Sequence, residues 1–573
     1  MKAKTSTTPW DFLDRYRGAA FDGEWPSLPD VLRITASQYP DRPCFTVFSP
    51  NRVSLDYTQA VARVERLGSF LLSAGVKPGE TLAVTGKNSP EWAVAYLAIQ
   101  AAGAVVVPID YQLHESEMGN ILRASGAVGL FIDEEKYDQF DPATYGLRAR
   151  WSLSPAKPGY AYDLEPAPNA PRLPRIPASD LAAILYTSGT TGTPKGVMLT
   201  HGNLVSDCYL AQANLTVLPT DTFYALLPIH HSYTMLAVFI EAISTGAELV
   251  FGQRMVTKAI LSDLKEARVT MFLGVPLLFN KVLAGIMKGI HEKGPLVEGV
   301  LKLLMVVSGM VKKLTGRNPG KKLFRAVLEK ASLDSIRICI SGGGPLAPSV
   351  FRKYNQLGID FVQGYGLTET SPILTLNPVD DYVETSVGKL IPRVEMRILD
   401  PDADGRGEIA VKGPMVMKGY YRNEEATREV FTEDGWFRTG DIGWLDSRNY
   451  LYLTGRAKNL IVTEGGKNVY PEEIENRFQL HGEVEQVLIR GYEMDRKRKI
   501  EGIEALVYPN KEWFEQRKGA DTVDEGEVED RIKTVVDEVN ASMLPYQRIS
   551  RVTVLDEPLE MTTTKKVKRF VVK

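Results

Sequence analysis

The chain reads as an α/β protein. We expect a large N-terminal part of two doubly wound α/β halves with a small β-rich subdomain, followed by a separate α+β C-terminal domain. Three observations predict this. Strand-like and helix-like patterns alternate from residue 53 to residue 273, which argues for mostly parallel sheets. The stretches Ala102-Gly-Ala-Val-Val-Val107 and Thr245-Gly-Ala-Glu-Leu-Val250 look alike and suggest two related halves. The texture then changes twice, at Val387 and again at Gly455. At 573 residues the chain is also too long for one compact core.

Taken in order, residues 53–57 alternate like a strand, and Val61, Val64, Leu67, Phe70 and Leu71 recur at helical spacing before Gly75, a natural C-cap. A strand over Thr81 to Thr85 leads to Asn88-Ser-Pro90, which opens a helix ending at Gly103. Ala104 to Pro108 is a strand, Glu115 to Ser125 a helix, and Val128 to Asp133 a strand. Residues 152–180 carry seven prolines and read as an extended connector. Asp180 to Leu185 is a short buried strand. Further on, helices are expected over Ala237–Ser244 and Lys258–Ala267, with strands over Glu248–Phe251, Val269–Leu273 and Ile336–Ile340. Residues 284–332 are rich in Lys, Leu and Met and read as helical; within them Leu296 to Leu314 is expected to be a buried core helix, with a membrane-surface helix as the other reading. Val387 to Val411 forms the β-rich subdomain. Beyond Gly455 we expect a helix over Pro471–Gln479, a strand over Val484–Arg490, an acidic loop near Asp521–Asp530 and a helix ending near Asn540. The expected domains are therefore 1–454 and 455–573.

Bulk properties exclude several classes. A formal net charge of −3 argues against a nucleic-acid partner. Cys44, Cys208 and Cys339 form neither a disulfide framework nor a zinc pattern, so a reduced, cytoplasmic setting is expected. The N-terminus lacks a signal-peptide pattern, and no window approaches the ~20 apolar residues that span a bilayer. Contact with a membrane would be peripheral, on its inner face.

The richest stretch chemically is Tyr186-Thr-Ser-Gly-Thr-Thr-Gly-Thr-Pro-Lys-Gly196. Ser188, Thr190, Thr191 and Thr193 offer hydroxyls, Gly189, Gly192 and Gly196 let backbone N–H groups approach a ligand, and Lys195 adds a mobile cation. Together they describe a site for polyphosphate oxygens. The Walker pattern is excluded by spacing, because Lys195 precedes Gly196 and follows Pro194. A Gly/Thr-rich surface turn is the plainer account.

Six further segments stand out. They are Leu227-Pro-Ile-His-His-Ser-Tyr233, Ser341-Gly-Gly-Gly-Pro-Leu346, Gln363-Gly-Tyr-Gly-Leu-Thr-Glu-Thr370, and Phe437-Arg-Thr-Gly-Asp441 with Gly455-Arg-Ala-Lys458. Gly465-Gly-Lys-Asn-Val-Tyr-Pro-Glu-Glu-Ile-Glu475 and Met561-Thr-Thr-Thr-Lys-Lys-Val-Lys-Arg569 complete them. Read alone, the last is a basic tail. With the loop, and in this order over about 380 residues, they resemble the adenylate-forming superfamily of acyl-CoA synthetases, peptide-synthetase adenylation domains and luciferases. Among these, the helical segment 284–332 and the C-terminal tail look most like long-chain fatty acyl-CoA synthetases.

The resemblance implies roles residue by residue. Thr187, Ser188, Gly189, Thr191, Gly192, Thr193 and Lys195 would hold ATP phosphates, with Thr190 and Glu369 at Mg²⁺. His231, with His230 as the other candidate, would position the carboxylate substrate. Gly342, Gly343 and Gly344 would lie along adenine, Tyr365 would stack on it, Gly366 would flank it and Thr368 would contact the α-phosphate. Asp441 would take the ribose hydroxyls and Arg456 the ribose and phosphate. Lys458 would be the hinge about which a mobile C-terminal domain turns, and Gly465 and Gly466 would border the channel of a pantetheine thiol. Lys566 would be the adenylation lysine. The common family form has Gly before it where this chain has Lys565, which leaves Lys565 as an alternative. The implied activity is two-step ligation of a long-chain fatty acid to coenzyme A. An acyl carrier protein as acceptor, or a non-catalytic nucleotide- or acyl-binding relative, are the rival readings.

Overall fold

The computed structural model describes residues 8–187, 194–253, 256–463, 467–495, 500–518, 524–561 and 567–569. Two large sheets dominate. In the seven-stranded sheet the order is Gly419–Tyr420, Lys195–Thr200, Leu181–Thr187, Val105–Ile109, Thr81–Thr85, Gly129–Ile132, Ala149–Ser152. Its last five strands run parallel, while the first two pair antiparallel. The nine-stranded sheet has a parallel centre from Asp360–Gly366 through Ile338–Ser341, Met271–Gly274, Thr222–Ala225 and Glu248–Phe251 to Pro43–Val47. Antiparallel strands close both its edges.

Local chemistry explains the elements between. Asp56 ends the strand Val53–Asp56 and caps the helix Tyr57–Ser73 in a reciprocal box with Gln59. Ser89 accepts from Trp92 N–H at the start of the helix Pro90–Ala101, whose residues are buried on every side except at Glu91. The two look-alike stretches occupy equivalent places. Gly103 (φ 76°) and Gly246 (φ 83°) each turn the chain from a helix end into a strand, one in each sheet. The strand expected to end at Leu185 continues to Thr187, and the helix expected from Ala237 begins as a π-helical run, Met235–Ile240, before the α-turn Glu241–Thr245.

A single apolar core spans both sheets, drawing on residues from Leu13 to Leu451. A second lies against the far face of the nine-stranded sheet under the helices Pro276–His291, Pro295–Thr315 and Pro348–Leu357. The strands Glu395–Leu399, Gly407–Lys412, Phe437–Leu445 and Leu451–Arg456 form the antiparallel sheet expected from the texture change at Val387. Beyond it, the strands Val484–Asp495, Ile500–Pro509 and Arg551–Val554 and the helices Pro471–Phe478 and Glu525–Ala541 enclose a separate core of residues between Ile461 and Ile549.

Two expectations are corrected. Leu296 to Leu314 does form a helix, but it is a surface helix. Met305, Ser308 and Lys312 face inward, whereas Leu296 is 81% and Leu314 84% exposed. The stretch is apolar over most of its circumference, with Glu298, Lys302 and Lys313 on one flank, and only part of the apolar surface is covered by a neighbour. The acidic run near Asp521–Asp530 is also not a loop from residue 525 onward: Glu525, Glu527 and their neighbours open the helix Glu525–Ala541, where carboxylates favour the helix N-terminus. Residues 519–523 lie outside the described residues.

Candidate active site

The motifs gather where the parallel strands end. In doubly wound sheets the crevice at the carboxyl ends of the strands is the natural place for a ligand, because the chain leaves the sheet there in both directions. Ser341 leads into Gly342, Gly366 into Thr368, and Ala225 into His231, all from strands of the nine-stranded sheet. From the seven-stranded sheet, Thr85 leads to Asn88 and Ile109 to Asp110. Asn88 joins the two. Its buried side chain donates to Ala225 O (2.8 Å) and Leu227 O (2.9 Å) and accepts from Ile229 N–H (3.0 Å).

The phosphate-loop stretch is the connection of a hairpin. Leu181–Thr187 pairs antiparallel with Lys195–Thr200, and Thr187 stands opposite Lys195. Ser188, Gly189, Thr190, Thr191, Gly192 and Thr193 lie outside the described residues. Lys195 Nζ sits 5.0 Å from the centre of the Tyr420 ring. The Tyr420 hydroxyl donates to Glu369 Oε1 at 2.9 Å, and burial followed by the Glu369 charge pushes that hydroxyl far above the usual phenol range. Glu369 is carried on the short turn Thr368–Thr370, whose Thr368 shares a 3.0 Å hydrogen bond with Ser232, the residue after His231. The loop base, the carboxylate, the threonine and the histidine segment thus form one continuous chain of contacts.

The histidines have a carboxylate beside them. His230 is buried, with Nε2 3.6 Å from Asp110 Oδ1, and the His231 ring, half-buried, lies 4.2 Å from that of His230. One ligand atom from each of Asp110, His230 and His231 falls within 4.8 Å of the others.

On the other side of Glu369, the Tyr365 hydroxyl donates to Asp441 Oδ2 (2.7 Å) and Arg456 Nε reaches Asp441 Oδ1 (3.0 Å). Burial first, and then the Asp441 charge, raise the Tyr365 hydroxyl well above its ordinary value. Asp441 is the main cause that raises the Arg456 guanidinium, and Glu369 is close enough to add to it. The glycine segment Gly342–Gly344 borders Tyr233: a Cβ on Gly342 would come within 2.8 Å of that ring, which hydrogen-bonds Ile340 O at 3.1 Å. Gly366 has no alternative, since a Cβ there would stand 1.5 Å from Pro372 O. Lys458 sits exposed on the turn Ala457–Asn459, its ammonium lowered by partial burial and by Arg456.

Gly465, Gly466, Lys565 and Lys566 lie outside the described residues. The ends of the segment that carries the two lysines are anchored, since Met561 bridges Val567 and Arg569 binds both carboxylate oxygens of Glu475 at 2.5 Å. Burial lifts the Glu475 carboxyl to about 7 in spite of Arg569. Sequence reasoning missed Asn88 as the tie between sheets, Asp110, Ser232 and Tyr420. Asp110 alone carried a signal, being a carboxylate directly after a buried strand.

The comparisons with known proteins agree with this geometry. Residues 32–421 match the AMP-binding enzyme family. A feruloyl-CoA synthase from Amycolatopsis sp is 30% identical, over 82% of this chain and 85% of that one. A chloroplastic long-chain-fatty-acid–[acyl-carrier-protein] ligase of Arabidopsis thaliana is 29% identical over 96% and 85%. A long-chain-fatty-acid–CoA ligase of Mycobacterium bovis is 29% identical over 90% and 89%. Among solved structures, ATP-bound MatB from Rhodopseudomonas palustris superposes with a TM-score of 0.74 at 28% identity, covering 95% of this chain and 98% of that one. Two doubly wound halves with motifs at their strand ends and a smaller C-terminal domain make the fold that of the adenylate-forming ligases. The chain belongs to the AMP-binding enzyme family, as an acid–thiol ligase.

Proposed function

We propose that the protein is an AMP-forming long-chain fatty acid–CoA ligase. The observation that carries the reading is the continuous network from Lys195 through Tyr420, Glu369 and Thr368 to Ser232, flanked by Tyr365, Asp441 and Arg456. It sets a cation, a carboxylate, hydroxyls and a ribose-suited aspartate around one crevice.

In the first half-reaction an oxygen of the fatty carboxylate attacks the α-phosphorus of ATP. The bond to the β-phosphate oxygen breaks, giving acyl-adenylate and pyrophosphate. Lys195 and the loop residues 187–193 hold the departing phosphates, Thr368 the α-phosphate, and Lys566 offsets the charge that develops in transfer. Asp441 and Arg456 orient the ribose, Tyr365 and Gly342–Gly344 the base, and His231 the carboxylate. Glu369 and Thr190 would hold a magnesium ion, a hard cation suited to carboxylate and hydroxyl oxygens, which would neutralise phosphate charge. In the second half-reaction the thiol sulfur attacks the acyl carbonyl carbon, the bond from that carbon to the phosphate oxygen breaks, AMP leaves with the electron pair, and the thiol proton passes to water. The chain beyond Lys458 turns about that residue between the two steps, bringing Gly465 and Gly466 to the thiol in place of Lys566.

Fatty-acid-dependent ATP–pyrophosphate exchange across chain lengths, without thiol, tests the acyl group. Exchange that peaks with long chains supports it; exchange only with feruloyl-type or short acids overturns it. Offering coenzyme A and an acyl carrier protein separately then decides the acceptor, and both kinds are named among the relatives.

A further inference from the structure

We propose that the helix Pro295–Thr315 is a docking surface for an anionic lipid bilayer. Its outer face carries Leu296, Val300, Leu303, Val307, Met310 and Leu314, spaced four and three residues apart so that they fall in one stripe. All six are exposed, from 40% at Val307 to 84% at Leu314. At 1.5 Å per residue the stripe is about 27 Å long. No described helix is long and apolar enough to cross a membrane. A helix of this kind lies in the interfacial plane with its apolar side in the acyl boundary.

Charge selects the occupant. Residues 281–330 hold eleven Lys and Arg against three Asp and Glu, a local excess of eight positive charges in a chain whose formal charge is −3. One of the eleven, Lys312, points inward to Asp360 at 2.7 Å. Others, including Lys293, Lys313, Arg317 and Lys322, are exposed around the helix and just beyond it. Basic residues beside an interfacial helix add attraction to anionic headgroups. A second copy of the chain would set two such basic segments against each other. An acidic protein would answer the charge but would need its own matching apolar ridge, whereas a bilayer supplies both anywhere on its surface.

The test is co-sedimentation of the full chain with phosphatidylcholine vesicles, with and without phosphatidylglycerol, at low and high salt. We expect binding to the anionic vesicles that high salt weakens. The double variant L303E/M310E should lose at least tenfold in partitioning, and K313E/K322E about fivefold or more. Thermal melting of each variant verifies that it is folded; both pairs are exposed and lie outside the active-site network, so the result does not depend on which acid is ligated. Wild type left in the supernatant with both vesicles, or binding them equally well, overturns the proposal. So does L303E/M310E binding as wild type does. Self-association, or capture of an acyl carrier protein, that L303E/M310E abolishes while vesicles bind neither form reassigns the face to a protein partner and also overturns it.

Discussion

The two large sheets and the C-terminal sheet are joined to the molecule in opposite ways. The seven- and nine-stranded sheets share one apolar core from Leu13 to Leu451, and Asn88 stitches their carboxyl ends together from a buried position. The three-stranded sheet encloses its own core, from Ile461 to Ile549, and polar groups are among its contacts with the rest. Gln479 donates to Pro345 O (2.9 Å) and accepts from Ala347 N–H (3.1 Å), and Arg406 stands 3.7 Å from Glu473. Separating the first pair would expose apolar surface at about 25 cal/mol per Å². Separating the second exchanges partners that water can replace. On the function proposed above, a site assembled on the first pair keeps its geometry while groups presented by the second come and go.

The largest test of that contrast is Lys566→Ala. A residue delivered only for the first half-reaction should matter only there. We expect adenylation to fall by about 10²- to 10³-fold while thioester formation from supplied acyl-adenylate is unchanged, read by pyrophosphate exchange and by single-turnover thiol transfer. Equal loss of both would show that the lysine stays in place throughout. Asp441→Asn, on the rigid side and hydrogen-bonded to Tyr365, should instead slow both half-reactions together, by about tenfold to a hundredfold. A defect confined to one half would break the comparison.

Stability should divide in the same way. Asn88→Ala removes three hydrogen bonds from a buried link and leaves Ile229 N–H without its partner, so we expect a loss of about 2–4 kcal/mol in denaturant unfolding. A loss below about 0.5 kcal/mol would mean the sheets need no such tie.

How much of this was legible depends on the range over which each feature is decided. The alternation of strands and helices, the turn glycines at Gly103 and Gly246 and the order of the motifs are local, and they read correctly. Asn88 gave only its role as neighbour of a helix cap, because its partners lie about 140 residues away. Tyr420 is joined to Glu369 and Lys195 only by the pairing of its short strand, which no spacing in its own segment announces. The helix Pro295–Thr315 shows the converse. Its pattern shows a broad apolar surface interrupted on one flank by Glu298, Lys302 and Lys313, but which part a neighbour covers is settled by packing.

The shared core also holds a titrating group. Glu241 is fully buried beside Cys208, whose thiol donates to it at 3.0 Å, and burial pushes its carboxyl from 4.5 to about 8. Between these values the folded state keeps a proton that the unfolded chain releases. This contribution to stability is therefore complete below about 4.5 and is lost as pH rises through about 8, with a slope of up to about 1.4 kcal/mol per pH unit. Unfolding free energies of Glu241→Gln against wild type should show that part of the slope removed. An unchanged profile would place the pH dependence elsewhere.

The smallest expected effect is the most discriminating for the seam. Gln479 is half-exposed, so truncating it to Ala lets water satisfy both Pro345 O and Ala347 N–H, and global stability should move by less than about 1 kcal/mol. What should change is local opening. Hydrogen exchange at the Ala347 amide should accelerate while amides of the strand Ile338–Ser341, bound within the large sheet, keep their protection. If Gln479→Ala instead lowers global stability by several kcal/mol, the seam is part of the cooperative core, and a C-terminal domain that turns between half-reactions would have to break far more than two hydrogen bonds. A small global change with faster exchange confined to Ala347 would mean that the contact behaves as a latch, held firmly enough to set one arrangement and weakly enough to release it.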